Sequence, residues 1–253
     1  MDQRLVTPLN KMQRAIQLAA FHYIVCLKAI PTNADHKLNI DKKEYVFEGI
    51  RKAESLELHV EFQSWAAVSV LRDLIESFSI FLMEIYAVAL EQNPDADFST
   101  TAKKFERRGI EDQLDILMKD FSVDAAWVSR LIGFNRARNC LAHRAGVVGA
   151  PDLVESNELV VRWLDAEIAV HDGLDSNKMD MSSPMGSLIK GQPHGGPPAS
   201  FTVKDREKRI PLGNFLEFLP SEILEICSTF QLASAAFSDL SRPLERQTTD
   251  LRE

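Results

Sequence analysis

The chain has 253 residues, 45% hydrophobic and 26% charged, with a formal net charge of −8. That balance suits one large globular domain with a real core, or a domain carrying a sizeable insertion. The acidic sum excludes a surface coated in positive charge for nucleic acid, but not a local basic site, because steering depends on where charges sit.

Cys26, Cys140 and Cys227 are widely spaced and form no CxxC pair, so neither a zinc knuckle nor a disulfide framework is supported and reduced thiols are expected. Met1–Arg4 lacks the basic-then-apolar layout of a signal peptide. The most apolar window, Phe78 to Leu90, is too short for a bilayer and carries Glu84 in its middle. The expectation is a cytoplasmic protein without a membrane span.

In chain order, Pro8 to Ile30 reads as a first helix, ended by Pro31. Pro31 to Lys43 reads as a polar loop, and Glu44 to Glu54 as a short helix. The strongest element runs from about His59 to Gln92 and is closed by Asn93-Pro94. Ala67, Leu71, Leu74, Phe78, Phe81 and Ile85 recur there at three- and four-residue steps, and Val68, Ile75, Leu82 and Tyr86 widen the face. A helix so apolar around its circumference belongs at the centre. Ser99 or Thr100 is expected to cap a helix over Lys103-Lys104 and Arg107-Arg108, with Gly109 as its stop. Ile110 to Phe121 is short and amphipathic. Ser122 or Asp124 then caps a helix that runs to about Arg144 and ends at Gly146.

After it the character changes. Glu158 to Val170 is rich in β-branched and aromatic residues and predicts one or two strands. Asp172 to Ser200 holds five of the eleven glycines and four of the eleven prolines, a composition that predicts a mobile loop. Phe201-Thr202-Val203 reads as a returning strand. Pro220 suits the first position of a last helix, with Ile223, Ile226, Phe230, Ala233 and Phe237 on one face. The tail after Arg242-Pro243 is charged and expected to fray. The fold class is therefore mainly α: one domain over residues 1–253, an up-and-down helical bundle with a β insertion at 158–210 and a disordered Gly/Pro-rich loop at 172–200 before the last helix.

On a wheel of 100° per residue, Trp127, Leu131, Phe134, Arg138 and Leu141 share one stripe, so Arg138 occupies a position patterned for an apolar group. A guanidinium there needs a partner. Asn139 and His143 lie four residues apart on the neighbouring face. A structural role is open to these residues: Arg138 bridging helices through Asp73, Glu76 or Glu84, and His143 capping the helix end.

Arg138-Asn139-Cys140-Leu141-Ala142-His143 resembles the R-x4-6-H signature of HEPN domains, with Asn139 as the polar residue that commonly follows the arginine. The resemblance covers the signature and the surrounding helical layout, from the long helix at His59 to the last helix. It implies a helical bundle, usually dimeric, that acts as a metal-independent ribonuclease in toxin–antitoxin, phage-defence or RNA-processing systems. Arg138 and His143 would be catalytic and Asn139 would support them; no cofactor or metal is implied. The implied partners are a second copy, an RNA substrate and a cognate antitoxin or regulatory protein. A family variant that transfers adenylyl groups carries a tyrosine two residues after the histidine, where this chain has Ala145.

The residue types suit the chemistry. Metal-free RNA cleavage needs a base for the 2′-hydroxyl, an acid for the leaving 5′-oxygen and positive charge on the phosphorane. Histidine supplies proton transfer and arginine a rigid two-pronged clamp. One motif supplies one histidine, so two copies across a dimer would complete the set.

Lys103, Lys104, Arg107 and Arg108, beside Arg136 and Arg144, could hold phosphates, although a solvated helix face explains such runs more often. Cys140 with His143 fits a buried cysteine better than a thiol–imidazole pair. His171-Asp172 lacks companion metal ligands. Gly186 to Gln192 places Lys190 before the glycine, unlike a phosphate loop. The alternatives to a ribonuclease are a non-catalytic HEPN-like module that binds protein or RNA, and a helical scaffold whose long loop regulates an interaction.

Overall fold

The computed structural model describes residues 3–28, 36–40, 43–47, 52–154, 157–170 and 199–241. It is mainly helical. Among the described residues there are six α-helices: α1 Gln3–Lys28, α2 Lys52–Gln92, α3 Ala102–Glu106, α4 Ile110–Phe121, α5 Ala125–Arg144 and α6 Pro220–Ser238. Two antiparallel hairpins accompany them, β1 His36–Ile40 with β2 Lys43–Phe47, and β3 Glu158–Val170 with β4 Ala199–Pro211. Among the described residues no helix is long and apolar enough to cross a membrane.

The axis of the bundle is α2, 41 residues and so about 60 Å long. Helices α1, α3, α4, α5 and α6 all pack on it, which explains why its apolar residues spread around so much of the wheel. Leu71, Leu74, Phe78 and Leu82 are completely enclosed. Phe78 meets Phe230 and Phe237 of α6, each with ring centroids 5.5 Å apart, and Phe134 of α5 reaches Phe230 at 5.2 Å. Aromatic contacts thus tie the three main helices together.

The β3–β4 hairpin is docked onto the bundle rather than appended to it. Alternate residues of β3 are buried on both faces, Leu159, Val161 and Trp163 on one and Val160 and Leu164 on the other, with α5 and α6 packed against the strand. Gly133 makes the α5 approach possible, because a Cβ there would stand 2.9 Å from the Val160 carbonyl oxygen. On the edge of β3 away from β4, Thr229 of α6 accepts from the Leu164 N–H at 2.9 Å, and its hydroxyl proton is shared between the Glu225 carbonyl at 2.9 Å and the Leu164 carbonyl at 3.3 Å. A side chain here completes a strand edge that would otherwise be left open. The outer strand β4 is exposed and charged from Lys204 to Glu207, as suits an edge.

Several boundaries differ from the sequence expectation. Helix α1 starts at Gln3 and contains Pro8 rather than beginning there. Within the loop expected over Pro31–Lys43 lies strand β1, and the start of the short helix expected over Glu44–Glu54 is strand β2, in register from His36↔Phe47 to Ile40↔Lys43. The last residues of that expected helix, Lys52 to Glu54, belong to α2, and the rest of both ranges lies outside the described residues. Lys-Glu-Tyr-Val-Phe is strand-forming material, and β pairing outweighed a weak helical pattern. Helix α2 starts at Lys52, seven residues before His59. Thr101, not Ser99 or Thr100, caps α3, accepting from the Lys104 N–H at 3.4 Å.

Helix α3 stops at Glu106, and Gly109 then serves as the N-cap of α4 rather than as a stop. Each strand of the second hairpin is 13 residues long, so Phe201–Val203 is one part of β4. Ala199 and Ser200 pair with Val170 and Ala169, so the expected loop at 172–200 does not include them; its remainder, and the tail after Arg242, lie outside the described residues. So do His171-Asp172 and Gly186 to Gln192.

Candidate functional site

Helix α5 is fixed at both ends. Asp124, the N-cap, accepts from the Ala126 N–H at 2.8 Å, while Ser122 instead closes α4 with φ 54°. The left-handed residue that stops α5 is Ala145 (φ 48°), one before the expected Gly146. Gly146 follows with φ 84° and donates to the Cys140 carbonyl at 3.2 Å, which the Ala145 N–H also meets, so one carbonyl of the last turn closes the helix end. A Cβ on Gly146 would lie 2.6 Å from the Phe215 ring, so glycine lets the segment after β4 close over the helix end.

The side of α5 that faces α2 and the start of α4 opens into a groove of about 670 Å³. Arg138, Asn139 and Asn135 of α5 line it together with Glu76, Ser79 and Ile80 of α2 and Gly109 to Asp112 at the head of α4. Two of the three motif residues therefore meet in one concavity. The third, His143, is exposed one turn further along and does not line it.

Arg138 is half-buried, yet it forms no ion pair among the described residues. Its Nη2 donates to the Asn135 Oδ1 at 3.1 Å, and its Nε is enclosed with no hydrogen-bond partner. The carboxylates that could have made it a helix bridge are otherwise placed. Glu84 holds Lys11 at 2.5 Å, Asp73 lies 3.4 Å from Arg72, and Glu76 lines the groove without binding the guanidinium. Asn135 in turn donates from Nδ2 to Glu111 at 2.8 Å. The other Glu111 oxygen lies 3.4 Å from Arg136, whose Nη1 donates to the Leu153 carbonyl.

The helix end is built differently. Arg144 grips Asp152 with two bonds, Nε to Oδ2 at 2.7 Å and Nη2 to Oδ1, and Asp152 is 1% exposed. Asp152 also accepts from the Gly149 N–H at 2.9 Å, and its hydrogen bonds push Arg144 above its usual range. Cys140 is buried beside this pair. Burial, reinforced by the Asp152 charge, pushes its thiol up to about 11, the environment of an inert cysteine rather than of a nucleophile.

The basic residues considered for RNA divide in two. Arg136 and Arg144 are committed inside the chain. Lys103, Lys104, Arg107 and Arg108 are exposed, and Arg108 stands 3.7 Å from Asp112, where the cluster borders the groove. Sequence reasoning passed over Asn135, Glu111 and Asp152, although Asn135 stands three residues before Arg138, the spacing at which helical side chains meet.

No protein-family model, no curated protein and no solved structure gives a significant match to this chain.

Proposed function

We propose that this chain is a metal-independent endoribonuclease of the HEPN type, working in the cytoplasm as a homodimer whose two copies share a composite site. The observation that carries this reading is Arg138: a half-buried guanidinium, on the wall of an open groove, with no carboxylate bound to it. Holding a cation out of water in that state is costly, and an entering anion repays the cost. A phosphodiester is such an anion, and a guanidinium fork suits its oxygens. Asn139 beside it can donate to a phosphate oxygen, and the exposed Lys103, Lys104, Arg107 and Arg108 can hold flanking phosphates at the groove's border.

The reaction needs the 2′-hydroxyl to attack the adjacent phosphorus, a base to take its proton and an acid to protonate the departing 5′-oxygen. The motif offers one exposed imidazole per chain, His143, away from its own groove. Two copies related by a two-fold axis bring the same patch to itself and supply both imidazoles. A toxin or defence role, held in check by an antitoxin or another regulatory protein, accords with the resemblance.

The test is cleavage of single-stranded RNA in EDTA, with 2′,3′-cyclic phosphate ends as the product. His143→Ala should lower the rate by about 10²–10³ while leaving the helical circular dichroism unchanged. Undiminished cleavage by that variant, or loss of cleavage in EDTA, removes the assignment.

A second reading, a non-catalytic module that binds a partner, is favoured by the acidic residues of the same groove. Glu76, Glu111 and Asp112 line it with Arg138 and suit a partner's basic side chains better than a phosphate chain. Under that reading no RNA is cut.

A further inference from the structure

We infer that Asn135 is a positioning residue that holds Arg138 ready for an anion while leaving its charge uncompensated. This deepens the reading of Arg138 given above, because it assigns the device that keeps the guanidinium available. Asn135 is 8% exposed, and each end of its amide is set by what it faces. The Glu111 carboxylate accepts, so Nδ2 donates to it; the Arg138 guanidinium only donates, so Oδ1 receives it. The amide cannot turn over without losing both bonds.

The charges explain why an amide stands there. Glu111 has Arg136 beside its second oxygen, so its negative charge is answered before the chain of bonds reaches Arg138. Asn135 passes on direction and no charge, and Nη1 of Arg138 has no bond among the described residues. Asp112 stands beside Arg108, and Glu76 does not bond the guanidinium. An aspartate at 135 would occupy nearly the same volume but pair with Arg138 three residues on, at helix-neighbour spacing. It would also set two carboxylates face to face. A neutral amide is thus the side chain of this size that orients the guanidinium and leaves it open.

The experiment follows the Arg138 side chain directly. Its Nε–Hε resonance, assigned by its loss in Arg138→Lys, is monitored while inorganic phosphate is titrated into the full chain. The wild type should show a saturable shift. Asn135→Asp should raise the phosphate midpoint by about tenfold or more, the cost of engaging the cation internally. Asn135→Ala, which removes the acceptor without adding charge, should broaden the resonance and weaken the response, and it serves if the aspartate does not fold.

A residue that only supports packing would lower the melting temperature and leave the midpoint in place. That result, or a wild-type resonance indifferent to phosphate, overturns the inference. A protein that cuts no RNA but whose Arg138 follows phosphate in an Asn135-dependent way sustains it and removes the ribonuclease reading alone.

Discussion

Arg138 and Arg144 stand six residues apart on one helix, and the chain treats them in opposite ways. The end of α5 is closed: Arg144 takes a buried carboxylate in two bonds, and that carboxylate also caps the following turn at Gly149. The groove side is open: Arg138 leans on a neutral amide and meets no carboxylate. One arginine is matched by a carboxylate and the other, among the described residues, is not. What differs is not the residue but the charge of what it meets, the Asp152 carboxylate beyond the helix end in one case and the neutral Asn135 amide one turn back on α5 in the other.

The most severe way to break the contrast is to open the closed end. Asp152→Ala leaves the Arg144 guanidinium and the Gly149 N–H without their acceptor, and removing one partner of such a buried pair typically costs about 3 kcal/mol. In a chain of this size the melting temperature should fall by roughly 6–12 °C in calorimetry. An unchanged transition would mean that the pair adds nothing to the helix end.

The converse change belongs at the open side. Arg138→Met keeps an unbranched side chain of similar length and removes a charge that the fold does not compensate. Replacing such a group by an apolar one is often neutral or stabilising, so the melting temperature should hold within about 2 °C or rise. A fall as large as that of Asp152→Ala would erase the distinction between the two arginines.

A smaller effect appears only in alkali. Burial pushes the Cys140 thiol up to about 11 and the Cys227 thiol up to about 12. Burial, with Cys227 adding to it, pushes the Tyr23 phenol up to about 12. Each raised value means that the folded state favours the protonated form. The associated stability is fully present below the ordinary values, 9.0 for a thiol and 10.0 for a phenol, and is lost as pH rises through the folded ones. Melting temperature measured from pH 8 to 11 should decline above about pH 9. A transition that rises with pH over that window would contradict the enclosure of these groups.

The parts legible in the sequence are those where one local pattern sufficed. The three-four repeat from Ala67 to Tyr86 marked a central helix, and Pro220 marked the first position of α6. The β-branched run at Glu158–Val170 marked β3. The β1–β2 hairpin was hidden because its strands are five residues each, too short for alternation to speak against a helical reading.

At the site, the wheel singled out Arg138 as a cation on an apolar stripe, but its surroundings depend on residues distant in the chain. Glu111 lies 24 positions from Asn135, and no spacing rule connects α4 to α5 before they pack. Asp152 is closer to Arg144 in sequence, yet it lies beyond a turn whose course depends on Gly146 fitting under Phe215. The motif could be read as residues; the signs of its neighbours could not.

The pairing of Val170 with Ala199 has a consequence for how the chain can vary. Those two residues face each other across the ladder, so any stretch of chain joining them leaves the hairpin and re-enters it at one point. Lengthening a detour of that kind adds only about 0.6 kcal/mol for each doubling, because the ends are already held together. The hairpin between α5 and α6 is therefore a port in the architecture. A folded reporter, an affinity tag or a foreign domain with adjacent termini could be spliced in there, and the register of β3 with β4 would carry on as before.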